Sequence, residues 1–288
     1  MSTPSRYYRP PLPHPLRSRL LPSFRPPITP PVDRTPEKKV MTIGLGFVYR
    51  DSSVNFIVFA SDSRISIGTA ITHEEAKIVE VPFADGYVMM AKAGYKIPYD
   101  RFQAIFSDKA KSTKIESANT VIGVAHEAIR ELARELCDPT VIDRDQRIRD
   151  NYCEFIIGFH HGHTAYLYTM NLQNRIMAPV ERFAVIGDGS DLAEFLLTGI
   201  DTKKMSVPSA FDLAIGVVDM CENHNSSCGT PCRVGILRDR TADDDEAPPP
   251  SILPDLQLKE LQASALSKNE IHNLLIKKFS NWFKSSKL

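Results

Sequence analysis

From Thr42 to Arg238 the apolar pattern changes period in a set order: strands, helices, strands, helices, then one last strand. That order restricts the fold more than any other feature of the chain. Runs of strands separated by runs of helices favour stacked antiparallel sheets covered by helices over alternating βαβ units. Thr42–Tyr49 is rich in β-branched and aromatic residues, a polar turn follows at Arg50-Asp51-Ser52-Ser53, and Val54–Ala60 is apolar again, which reads as a hairpin. A second strand pair is expected at Lys77–Val81 and Tyr87–Ala91, broken at Pro82 to Gly86. Ala118, Val121, Ile122, Ala125, Ile129, Leu132, Ala133 and Leu136 recur at helical spacing on one face, and the more polar Asp100–Lys111 is a weaker helical pattern. Strands return at Tyr152–His160 and Thr164–Asn171, joined at His161-Gly162-His163, and at Arg182–Ile186. Helices near Ser190–Thr198 and Ser209–Glu222 lead to a strand at Arg233–Leu237. The expected class is α+β.

The flanks differ in texture. Residues 1–40 hold 11 of the 21 prolines and six arginines, with no acidic residue before Asp33. Such a stretch cannot bury a core, so it is expected to be disordered or polyproline-like, a tail or a propeptide. Its Arg-rich, acid-poor composition also fits an organellar transit peptide, but the proline density opposes the amphipathic helix such peptides need. The main domain is placed at 41–240, an acidic and proline-rich linker at 241–256, and an amphipathic helix at 257–288. In that helix Ser267-Lys268-Asn269-Glu270 has the capping-box pattern, and Ile271, Leu274, Leu275, Phe279, Trp282 and Phe283 form an apolar stripe beside lysines. The stripe suits docking on its own domain or a neighbouring subunit, with a membrane-surface helix as the alternative.

Lys+Arg and Asp+Glu both number 35, so no charge excess points to nucleic acid or a membrane surface, and no apolar run reaches the roughly 20 residues of a bilayer span. Five cysteines in a chain large enough to fold without staples suggest reduced thiols and a cytoplasmic setting. Cys221, His224, Cys228 and Cys232 carry zinc-compatible side chains, but their spacing matches no standard knuckle. His160, His161 and His163 surround a turn glycine, where adjacent strand residues point to opposite faces. Neither set is assigned a metal, and no cofactor is expected.

Several segments in order, Thr42-Ile-Gly-Leu-Gly-Phe-Val-Tyr-Arg-Asp, Ile57-Val-Phe-Ala-Ser-Asp62-Ser-Arg64, Lys77-Ile-Val-Glu-Val and Ala93-Gly94, resemble the opening of a proteasome β subunit. Ile186-Gly187-Asp188-Gly189-Ser190 is similar to that family's Gly-Ser-Gly turn, and Ala210–Asp219 with Cys228-Gly229 to its Asp helix and Ser-Gly loop. The resemblance covers about two-thirds of the chain. It implies a four-layer αββα sandwich of the N-terminal nucleophile hydrolase class. It further implies a threonine peptidase or amidase acting on peptide or protein, a closed homo-oligomeric ring, and an ATPase unfoldase as a candidate partner.

The residues support a chemistry of their own. A threonine hydroxyl needs a base, and the amine of an N-terminal Thr42, with a pKa of about 7.7–8.0, is one on the same residue. Lys77 beside it would favour the neutral amine, Asp62 would hold the lysine, and the Gly94 N–H would face the developing oxyanion. Taken singly, Thr42 also fits an ordinary strand threonine and Asp62-Ser63-Arg64 a surface turn. Met41 directly precedes Thr42, so either removal of an initiator Met or cleavage of a propeptide would expose it.

Two departures bear on competence. Asp188 stands where the family has a Ser near the nucleophile, and Cys228 where a second Ser is expected, although Asp219 matches the helix Asp. A carboxylate at 188 would raise the amine's pKa and oppose Lys77. A catalytically silent structural subunit and a small-molecule amide hydrolase of the same fold therefore stand as alternatives. One consequence of the composition break is directly measurable: a chain beginning at Met41 is expected to melt cooperatively within a few degrees of the full-length protein, as calorimetry would record.

Overall fold

A computed structural model describes residues 42–50, 55–67, 70–74, 76–136, 153–201, 205, 207–224, 232–238, 251–252 and 273–278. The strands are β1 (Ile43–Arg50), β2 (Asn55–Asp62), β3 (Arg64–Ile67), β4 (Ala70–Glu74), β5 (Ile78–Pro82) and β6 (Tyr87–Gly94). They continue with β7 (Cys153–His161), β8 (Thr164–Asn171), β9 (Ile176–Pro179), β10 (Phe183–Gly187), β11 (Cys232–Arg238) and β12 (Ser251–Ile252). The helices are α1 (Lys96–Ala110), α2 (Ala118–Leu136), α3 (Ser190–Leu197), α4 (Val207–His224) and a short α5 over 273–278.

Two five-stranded antiparallel sheets stack face to face, one in the order β10-β1-β2-β11-β12 and the other β5-β6-β7-β8-β9, with β3-β4 a separate ribbon. Period-two alternation sorts each strand's side chains between two cores. From β1 and β2, Ile43, Leu45, Phe47, Phe56 and Val58 pack outward against Leu192, Leu196, Leu213 and Val217 of α3 and α4. From the second sheet, Val88, Met90, Phe155 and Ile157 pack outward against Phe102, Phe106, Val121 and Ile129 of α1 and α2. The opposite faces meet in a third cluster that includes Val48, Ile57, Phe59, Ile78, Met89 and Ile156. These are the stacked antiparallel sheets covered by helices expected from the order of elements, and the αββα sandwich that the resemblance implies.

The two sheets approach closely because glycine replaces a side chain at the contacts. A Cβ on Gly46 would lie 3.0 Å from Ile156, one on Gly158 2.7 Å from the Phe59 ring, and one on Gly235 2.6 Å from the Met89 sulfur. Neighbouring bulk fills each notch, as close-packed interiors require.

Several boundaries depart from the sequence reading. Helix α1 begins at Lys96, not near Asp100. Pro98 falls in its first turn, where a missing N–H breaks no intrahelical bond, so the proline is compatible with the helix. The ribbon β3-β4, the edge strand β9 and the two-residue β12 were not anticipated, and β12 places Ser251 and Ile252, assigned to the linker, beside β11. Leu275 of α5 is buried against α4, where a Cβ on Gly216 would come within 2.7 Å of it. The described part of the helix therefore docks on its own domain; of the two stripe residues described, Leu275 is buried and Leu274 is exposed. The Ser267–Glu270 capping pattern, Ile271, Phe279, Trp282, Phe283 and residues 1–40 lie outside the described residues.

The interlayer notches carry a stability test. Gly158→Ala would force the Phe59 ring to move and is expected to lower unfolding free energy by about 1–3 kcal/mol, as overpacking does, measurable by urea denaturation.

Candidate active site

Thr42 leads directly into β1, Asp62 ends β2, and Lys77 immediately precedes β5, so the site draws on both sheets. Thr42 is 2%, Asp62 0% and Lys77 3% exposed. Lys77 Nζ donates to Asp62 Oδ1 at 2.8 Å and to Thr42 Oγ1 at 3.1 Å. Burying an ammonium and a carboxylate is costly unless they are paired and hydrogen-bonded, and this geometry meets both conditions. The Ile43 N–H also donates to Asp62 Oδ1 at 3.0 Å. One carboxylate oxygen thus holds the lysine and the residue after the threonine together. An ammonium donating to Oγ1 stabilises negative charge on that oxygen, which is what an alkoxide-forming nucleophile needs.

Gly94 ends β6 with φ 111°, a left-handed conformation that favours glycine, and it pairs with Cys153 of β7. Gly187, opposite Ile43, has φ 88°. A Cβ there would fall 2.0 Å from the Thr42 carbonyl oxygen, so only glycine lets this turn close over the start of β1. Asp188 follows it in the turn before α3 and is half-buried.

Asp219 is half-buried on α4. Burial pushes the Cys232 thiol well up, and the nearby charges of Asp219, Glu222 and Asp62 push in the same direction. Asp219 thus shares with Asp62 the neighbourhood of Cys232, which is paired with Asp62 across β2 and β11. The ordered set Thr42, Asp62 and Lys77 is brought into contact. Gly94 and Asp188 are placed at strand ends of the two sheets, and Asp219 lies on the helical side of the first. Sequence reasoning missed the Asp62 bond to Ile43 and the role of Gly187; the Gly-Asp-Gly turn was the only available signal for the latter.

The other candidates have local roles. Cys153, Cys221 and Cys232 are buried free thiols. Cys221 donates to the Gly189 carbonyl, and His224 is exposed. Among the described residues no group of three or more metal-ligating side chains converges, and Cys228 lies outside them. His160 Nε2 donates to the Leu237 carbonyl at 3.2 Å and His161 Nδ1 to that of Ile115 at 3.1 Å, since a carbonyl only accepts. The two rings face opposite layers, as alternation along a strand requires. No described helix is long and apolar enough to cross a membrane.

Two stacked antiparallel sheets between helical layers form a proteasome β-like sandwich fold. Among solved structures the chain is similar to Anbu from Hyphomicrobium sp. strain MC1, with TM-score 0.57 and 18% identity over 83% of this chain and 97% of that one. It is similar to Anbu, an ancestral β-subunit, from Yersinia bercovieri, with TM-score 0.59 and 16% identity over 83% and 97% of the two chains. The Anbu complex of Pseudomonas aeruginosa, described as a helical assembly, matches with TM-score 0.59 and 16% identity over 85% and 96%. At these identities the likeness establishes the fold. No family model matches the sequence, and no curated protein matches it.

The buried pair makes a stability prediction that is independent of catalysis. Asp62→Asn leaves the Lys77 ammonium without its counter-charge and is expected to cost about 3–5 kcal/mol of unfolding free energy, measurable by denaturant titration.

Proposed function

We propose that this chain is an N-terminal threonine hydrolase that cleaves peptide or other amide bonds through an acyl-enzyme on Thr42. The observation that carries this reading is the buried contact of Thr42 Oγ1 with Lys77 Nζ, itself held by Asp62. Once Thr42 is the first residue, its amine takes the hydroxyl proton. Lys77 keeps that amine neutral and steadies the oxygen as it attacks. The Gly94 N–H receives the oxyanion of the tetrahedral intermediate. The amine then returns the proton to the leaving group, and water releases the acyl group.

Assembly into a homo-oligomer, closed or helical, fits the helical assembly of the Pseudomonas aeruginosa Anbu complex. The reading carries with it a cytoplasmic setting, in keeping with the free thiols, and an ATPase unfoldase as a candidate partner. A second reading, a silent structural subunit, is favoured by Asp188, whose carboxylate follows the glycine packed on the Thr42 carbonyl.

The test begins with the mature N-terminus, mapped by mass spectrometry, followed by labelling with a threonine-directed electrophile and peptide mapping. Labelling at Thr42 is expected to rise with pH as the amine, with a pKa of about 8, deprotonates. Thr42→Ala should abolish it without unfolding the domain. Lys77→Ala should slow it by roughly 100-fold or more, the scale of losing one preorganised charged donor. Asp188→Ser should raise it. A correctly processed protein that is neither labelled nor active on peptide or amide panels would leave the silent subunit as the function.

A further inference from the structure

The layer between the two sheets is apolar along most of its length, with members such as Phe59, Met89, Ala91 and Ile156. Glu154 enters it at the end nearest Thr42. On β7, Cys153, Phe155 and Ile157 point to the helices, so alternation turns Glu154 toward the first sheet. A half-buried carboxylate in such a place needs hydrogen-bond donors, and it has them. Its Oε2 accepts the Gly187 N–H at 3.1 Å and its Oε1 accepts from Asn171 Nδ2 at 3.4 Å. Asn171 is itself oriented, because its Oδ1 accepts the Gln173 N–H at 2.8 Å.

The bond to Gly187 crosses from one sheet to the other at a revealing position. Glu154 pairs with Ala93, the residue before Gly94, and Gly187 pairs with Ile43, the residue after Thr42. Gly187 is also packed directly against the Thr42 carbonyl and against Ala93. A continuous path therefore runs from the turn after β8 through Asn171, Glu154 and Gly187 to the backbone of the nucleophile.

Resting on the hydrolase reading above, we propose that Glu154 is a positioning residue that fixes the gap between Thr42 on one sheet and the Gly94 N–H on the other. The attacking oxygen and the oxyanion donor belong to different sheets, and a shift of about 1 Å between them costs up to roughly 100-fold in rate. Glu154 touches neither group. It holds the turn that holds the threonine.

Three proteins decide the matter: the chain as it matures from full-length expression, and its Glu154→Ala and Glu154→Gln variants, compared at a temperature where thermal melting finds all three folded. The Gln variant keeps a carbonyl acceptor for the Gly187 N–H, and the Ala variant has none. Glu154→Ala is expected to slow electrophile labelling of Thr42, and kcat on a peptide amide, by on the order of tenfold or more with KM little changed, and Glu154→Gln to recover most of that loss. Hydrogen exchange at the Gly187 amide reads the tie without reference to activity and should accelerate in the Ala variant only.

Wild-type labelling at Thr42 with an Ala variant labelled equally fast overturns the positioning role, as does a loss confined to KM or one that Gln fails to rescue. Unaltered Gly187 exchange in the Ala variant overturns the tie itself. If the mature wild type is not labelled while Gly187 exchange responds as expected, the hydrolase reading fails and the positioning role fails with it. The cross-sheet bond then stands as architecture alone.

Discussion

The site depends on one carboxylate oxygen. Asp62 Oδ1 accepts from the Lys77 ammonium and from the Ile43 backbone N–H, while the same ammonium donates to Thr42 Oγ1. An aspartate at the end of β2 thereby joins the strand that carries the threonine to the lysine that introduces the other sheet. In the interior a buried charge left without its counter-charge is far more expensive than the intact pair is favourable. The arrangement consequently works as a specification: the first turn of backbone in β1, the end of β2 and the approach to β5 are held to a single relative geometry.

Around that point the fold supplies two independent supports. The helices on each outside face bury the alternate residues of the strands, giving both sheets their stiffness. Between the sheets, small residues set their separation, and a few polar links near the site set their alignment. Gly187 and Gly94 both adopt left-handed backbone at strand ends, and Gly187 lies against the Thr42 carbonyl.

Much of this was legible in the sequence because it is written in periodicity. The β-branched and aromatic run Thr42–Tyr49, buried on both faces, and the helical stripe from Ala118 onward, which buries one, are both placed accordingly by the structure. The elements that escaped detection are those whose identity is decided by partners far away in sequence. Strand β9 is four residues ending in a proline and β12 is two residues beside β11; of α1 only the start at Lys96 was missed, ahead of a proline that its position in the first turn makes harmless. The contact of Thr42, Asp62 and Lys77 was legible as an ordered motif. The hydrogen bonds of Asp62 to Ile43 and of Glu154 to Gly187 were not, because no local pattern distinguishes a strand glutamate facing a second sheet from one facing water.

The notches at Gly46, Gly158 and Gly235 have a consequence beyond packing. Each receives a particular bulky neighbour, with Ile156 entering the first, Phe59 and Ile57 the second, and Met89 and Ile78 the third. Two of the notches belong to one sheet and one to the other, so the surfaces mesh like the teeth of two combs. Sliding one sheet past the other by a single residue, about 3.3 Å, would drive every tooth into a ridge at once. Because Thr42 and Lys77 arrive from opposite combs, their alignment is indexed along the whole interface, by residues that take no part in their hydrogen bond.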